Sequence, residues 1–123
     1  MKRDRWPGVF AIVVGAGMVA QWTVSLLAGG VPEAETRPVA LGFHLAAEGL
    51  TAALLVAAGV ALLLRRRWAR WAYAVATGML LYTAIVSPGY FVQEGQPMFL
   101  LLFAVILAFA VMTLVVVVRG GAE

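Results

Sequence analysis

Residues 98–118 read MFLLLFAVILAFAVMTLVVVV, an unbroken apolar run with Thr113 as its one polar side chain. As a helix rising 1.5 Å per residue the run is roughly 31 Å long, the thickness of a bilayer's hydrocarbon core. A helix that meets water needs a polar face, and this one has none. Three further stretches, at about 8–28, 39–64 and 69–86, share its character. The expected fold is therefore all-α: a polytopic membrane protein, a single antiparallel bundle of four transmembrane helices.

Composition agrees. The 123 residues are 63% hydrophobic and 12% charged, about half the ~25% charged content usual in soluble domains. Cysteine is absent, which removes disulfides, thiolate metal sites and cysteine-based redox relays. The net charge of +3 does not point to nucleic acid, because the basic residues flank the apolar segments instead of forming a stripe along one of them. The expected partners are the lipid bilayer and either a second copy of the chain or another membrane subunit.

Breaks between segments are legible. The first segment follows Lys2-Arg3-Asp4-Arg5 and exceeds twenty residues, longer than the ~7–15 apolar residues of a signal peptide, so an uncleaved helix is expected. Gly29-Gly30-Val31-Pro32 ends it, and a polar loop with Glu33, Glu35 and Arg37 follows. Arg65-Arg66-Arg67-Trp68-Ala69-Arg70 closes the second segment in a tight basic turn. Ser87-Pro88-Gly89 is expected to break the third, and Pro97 suits the start of the fourth.

Orientation follows from the basic residues. Lys2, Arg3, Arg5, Arg65, Arg66, Arg67, Arg70 and Arg119 fall on one side and Arg37 alone on the other. This bias places both termini and the central turn in the cytoplasm, and the protein in the cytoplasmic membrane. Trp6, Trp68, Trp71 and Tyr73 read as anchors at the inner interface, with Trp22, Tyr90 and Phe91 near the outer one. Gly49, Ala53, Ala57 and Ala61 recur every four residues, as do Ala16 and Ala20 beside Gly15 and Gly17, so the first two helices are expected to pack closely through these rows. The fourth segment is expected to face lipid or a second copy.

Polar residues at membrane depth are costly and therefore informative. They gather in the outer halves: Gln21, Thr23 and Ser25 in the first segment, His44, Glu48 and Thr51 in the second, Tyr82, Thr83 and Ser87 in the third. The inner halves read as nearly featureless. Glu48 lies sixteen residues from Leu64, roughly 24 Å along the helix and some 6 Å inside the outer edge of a ~30 Å core. An ionised carboxylate there costs a few kcal/mol unless it is paired, hydrated or protonated. His44, four residues earlier, shares its helix face.

Several roles fit this pair. It can carry protons if water reaches it. One histidine falls short of the roughly four ligands zinc prefers, and a metal or haem site would need two copies of the chain. A purely structural role is open too, with Glu48 hydrogen-bonded to Gln21 or Tyr82 and orienting the first three helices. Together Glu48, His44, Gln21, Thr51, Tyr82 and Tyr90 make the candidate pocket, open toward the extracytoplasmic side. No phosphate loop, nucleophile elbow or paired catalytic carboxylates occur, so no catalytic residue is assigned and no enzyme activity is expected.

The run Glu48-Gly49-Leu50-Thr51-Ala52-Ala53-Leu54-Leu55-Val56-Ala57-Ala58-Gly59, followed by a basic turn and another apolar helix, resembles the DoxX-like group of small four-helix membrane proteins. In that group a glutamate is commonly followed by small residues and leucines, then by a glycine near the end of the same helix. The resemblance covers the second and third segments. It implies a cytoplasmic-membrane accessory or subunit in sulfur or oxidative-stress redox chemistry, with quinone as a candidate partner and no cofactor assigned. The alternative is a small oligomeric carrier or channel in which Glu48 titrates and couples to proton or solute movement. Small multidrug transporters are a poor match, since their membrane carboxylate sits in the first helix and this chain has none there.

The cysteine-free background makes the orientation directly testable. Glu35→Cys should react with a membrane-impermeant maleimide on intact cells, and Arg66→Cys only after permeabilisation. The opposite pattern would invert the assignment.

Overall fold

A computed structural model describes residues 5–29, 33–93, 95 and 98–120, and the side chains of all of these except 33–34 and 87–93. It contains α1 (Arg5–Leu27), a single turn α2 (Glu33–Thr36), α3 (Pro38–Leu63), α4 (Ala69–Gln93) and α5 (Met98–Gly120). The four longer helices are each long and apolar enough to cross a membrane. They run up, down, up and down, with α3 packed on α1 and α4, and α5 packed on α4 and touching α1.

Three of the expected segments differ from the observed helices by no more than three residues at either end, the usual uncertainty of helix ends. The fourth difference is larger. Helix α4 does not stop at Val86 but continues through Ser87, Pro88 and Gly89 to Gln93. Proline has no N–H to give the Ala84 carbonyl, which is why a break was expected. Membrane-type helices tolerate this loss, because neighbouring groups re-satisfy the freed carbonyl. Length favours continuation as well: stopping at Val86 would leave a helix of about 27 Å, short of a ~30 Å core. The turn α2 was likewise expected as loop.

The α3–α4 connection is a Schellman turn built on an arginine. Arg65 adopts φ +57°, a left-handed conformation usually left to glycine. Around it the Arg65 N–H donates to the Leu62 carbonyl at 3.1 Å and the Arg66 N–H to Ala61 at 2.9 Å. These bonds satisfy two carbonyls at the end of α3, and the guanidinium charges of this basic turn lie at the negative end of the helix dipole.

The core consists largely of alanine. Ala11, Ala58, Ala76 and Ala110 are fully buried, with Leu55, Tyr73 and Val117 as the large side chains among them. Large aliphatics such as Leu101, Met112, Val13 and Phe43 face outward instead. The tightest seam joins α1 and α3. A methyl placed on Gly59 would lie 2.6 Å from the Gly8 carbonyl oxygen, and one on Gly15 would lie 2.8 Å from the Ala52 carbonyl oxygen. The pairing of these two helices matches expectation, but the rows differ. Gly49, Ala53, Ala57, Ala16, Gly17 and Ala20 are exposed, and a methyl on Gly49 or Gly17 would meet nothing within 4 Å. The seam runs instead through Gly8, Ala11 and Gly15 against Ala52, Leu55, Val56 and Gly59. Helix α5 presents Ala110, Thr113 and Val117 inward and its larger side chains outward.

Gly59→Ala should therefore force the backbones apart, at a cost of about 1–3 kcal/mol. Gly49→Ala should leave thermal unfolding in mild detergent unchanged or slightly raised, since its methyl enters open space.

Candidate functional site

Among the described residues Glu48 is the one charged side chain that is buried. It is 8% exposed, on the face of α3 that meets α4. There the Thr83 hydroxyl donates a hydrogen bond to its Oε1. One turn away, His44 Nε2 lies 3.6 Å from the same oxygen. That distance is too long for a good hydrogen bond but suits an ion pair when the imidazole is protonated. The His44 side chain is 46% exposed and stands edge-on to Trp22 of α1, with ring centroids 5.4 Å apart. Three helices thus meet at this carboxylate and its histidine.

Two cavities share Glu48 and Thr83 as a common wall. A cleft of about 290 Å³ opens between α3 and α4, lined by His44, Thr51, Met79 and Tyr82 in addition. An inner pocket of about 60 Å³ lies among the four long helices, with Gln21, Trp22, Leu80 and Phe103 around it. Both are mostly apolar, and the carboxylate and the hydroxyl are the polar groups common to the two.

The candidate residues are only partly united. His44, Thr51 and Tyr82 share the cleft with Glu48, although the Thr51 hydroxyl is spent locally on the Ala47 carbonyl at 2.8 Å. Gln21 lines the inner pocket and donates to Ser25 Oγ at 3.2 Å. The hydrogen-bond donor to Glu48 is Thr83, in place of the Gln21 or Tyr82 expected. Tyr90 lies in the last turns of α4, and its side chain is outside the described residues, as is that of Ser87. No group of three or more metal-ligating side chains occurs among the described residues.

The inner half is not featureless. Tyr73, expected as an interfacial anchor, is fully buried, and its hydroxyl donates to the Pro7 carbonyl at 3.1 Å. Trp6, Trp68 and Trp71 are exposed. Thr77 and Thr113 turn their side chains toward the Tyr73 hydroxyl. Thr113 donates to the Ala110 carbonyl at 2.9 Å. The Thr77 hydroxyl is buried and finds no partner at hydrogen-bond geometry among the described residues. The i, i+4 spacing of Tyr73 and Thr77, and the isolation of Thr113 in its apolar run, were the available signals for this second centre.

Over residues 1–122 the chain matches the family model of DUF8058, a domain of unknown function. The chain belongs to the DUF8058 family. No curated protein and no solved structure matches it.

The chemistry of this DUF8058 site therefore rests on its own groups. Glu48 accepts hydrogen bonds, and His44 donates or accepts according to its protonation. Between them they can bind a polar head group or exchange a proton with water in the cleft. Thr83→Val keeps the side-chain shape and removes the donor to Glu48. It should cost about 1–2 kcal/mol in detergent unfolding, the upper range for hydrogen bonds between membrane helices. Tyr82→Phe, at an exposed side chain, should leave stability unchanged.

Proposed function

We propose that this chain is a multi-pass protein of the cytoplasmic membrane with both termini inside. In this reading it is a non-enzymatic accessory or subunit in membrane redox processes that binds the head group of a quinone or quinol in the outer cleft. Membrane insertion is supported by the distribution of side-chain size, with alanine inside and large aliphatics outside. Lipid solvates such aliphatics as well as a protein core would, so the helices associate through close packing of small residues. Orientation is supported by the exposed Arg65, Arg66, Arg67, Arg70 and Arg119 gathered at one end.

The observation that carries the binding reading is the fixed carboxylate at the wall of an otherwise apolar cleft. Its ~290 Å³ is close to the lower limit of small-molecule sites, about 300 Å³, and suits a single ring. A quinone offers two acceptor oxygens, and a quinol two donors. His44 can donate to a quinone oxygen and Glu48 can accept from a quinol hydroxyl, so the pair serves either redox state, and Tyr82 adds an aromatic side chain. The resemblance to DoxX-like proteins points to the same ligand class. A second reading, a small carrier or channel in which Glu48 titrates, is favoured by the access of Glu48 to the inner pocket as well as the cleft.

Trp22, beside His44, is a built-in reporter for the first reading. A short-chain ubiquinone added to the purified protein should quench its fluorescence saturably, and Trp22→Phe should remove that signal. Glu48→Gln should weaken binding of the quinol form, whose hydroxyl donates to the carboxylate, by roughly ten- to a hundredfold, the worth of a buried charged hydrogen bond. Absence of saturable quenching, with no quinone in an organic extract of the protein purified in mild detergent, would sink the proposal.

A further inference from the structure

The inner pocket differs from the outer cleft in its charge. All four long helices contribute to its wall, and among the described residues Glu48 is the only ionisable side chain in it. His44 borders the cleft and not this pocket, and it carries a compensating charge only when protonated. Apart from the carboxylate, the Thr83 hydroxyl and the Gln21 amide the wall is apolar, with Trp22 from α1 and Phe103 and Ile106 from α5. An ionised carboxylate on the border of so apolar a space is costly unless a positive charge joins it.

Size and donor count narrow the guest. A pocket of about 60 Å³ holds roughly four to six water-sized groups, at about 10–15 Å³ for each. The Glu48 carboxylate has two oxygens. Gln21, whose amide nitrogen donates to Ser25 Oγ at 3.2 Å, keeps its carbonyl oxygen as an acceptor. Those three oxygens equal in number the N–H donors of a primary alkylammonium, and a short alkyl chain matches the apolar remainder of the wall. Trp22 and Phe103 add aromatic rings, which attract cations. Hard metal ions match less well, since calcium takes six to eight oxygen ligands and magnesium an octahedron of them.

We propose that the inner pocket binds a small primary ammonium ion, of methyl- to propylammonium size, with Glu48 as its counter-ion. The hydroxyl of Thr83, which donates to Glu48 Oε1, positions the carboxylate for it. The site goes beyond the quinone reading: it lies in a different cavity and takes a ligand of opposite character, although both share Glu48.

The test uses the full chain in mild detergent, with ethylammonium chloride replacing sodium chloride at constant ionic strength. Trp22 lines the pocket, so binding is read as the change in tryptophan emission that Trp22→Phe removes. A ligand of three heavy atoms reaches roughly millimolar affinity at best, and saturation is expected at or above that concentration. Ethanol, of equal size without the charge, should give no saturable change, nor should tetrapropylammonium, which is charged but too large. Glu48→Gln should weaken ethylammonium binding about tenfold or more. Ile106→Phe, which fills the pocket from α5, should abolish the ethylammonium response and leave quinone quenching intact. Ala47→Phe, in the wall of the cleft, should do the reverse. Absence of a saturable wild-type response to ethylammonium overturns the inference, as does an equal response to ethanol or an unchanged one in a folded Glu48→Gln protein. Tighter binding of tetrapropylammonium also overturns it, by placing the site in the cleft. If the Glu48 and Ile106 variants do not fold, the series of sizes and charges on the wild type decides. Loss of quinone quenching with an intact ethylammonium response removes the redox reading alone.

Discussion

The backbone of Gly59 rests against the Gly8 carbonyl, closer than any side chain would permit, and the rest of the arrangement is built on that contact. It locks α1 against α3 along their length, with Gly15 on Ala52 as the second point of closure. Two points fix both register and crossing. That register brings Trp22 to the edge of His44 and sets Gln21 beside the Glu48 pocket. It also lets the Pro7 carbonyl reach the Tyr73 hydroxyl on α4, tying a third helix to the pair. Where lipid replaces water, expulsion of apolar surface cannot hold helices together, and close van der Waals contact of this kind takes over.

Against that framework, Glu48 is the main cost. Burying an unpaired carboxylate is among the least favourable changes a protein can make. The offset is local: a hydroxyl from the facing helix, a histidine one turn away and an opening to the cleft. Cavities lie on both sides of Glu48, and its bond to Thr83 ties the two helices together.

How much was legible in the sequence depended on the kind of signal. Helix number and approximate ends came through because length and hydropathy are one-dimensional properties, summed over twenty residues. The grouping of His44, Glu48 and Thr51 came through because four- and three-residue spacings define a face. Packing rows did not. Alanine is so frequent in α3 that Gly49-Ala53-Ala57 and Ala52-Val56-Gly59 look alike, and with no polar face nothing marks which row turns inward. Tyr73 misled for a related reason: tyrosine near a basic turn is the expected interfacial anchor, and only the position of α1 shows that a carbonyl awaits its hydroxyl inside. Pro88 misled because the rule for proline comes from helices in water, and α4 continues past it.

The shared wall between cleft and inner pocket has a thermodynamic consequence. A guest in one cavity and water in the other would compete for the same carboxylate, which lines both. Occupancy on one side therefore changes affinity on the other, and by reciprocity the factor is the same in both directions. The two spaces are separate in shape but form a single linked equilibrium, with one shared carboxylate as its coupling element.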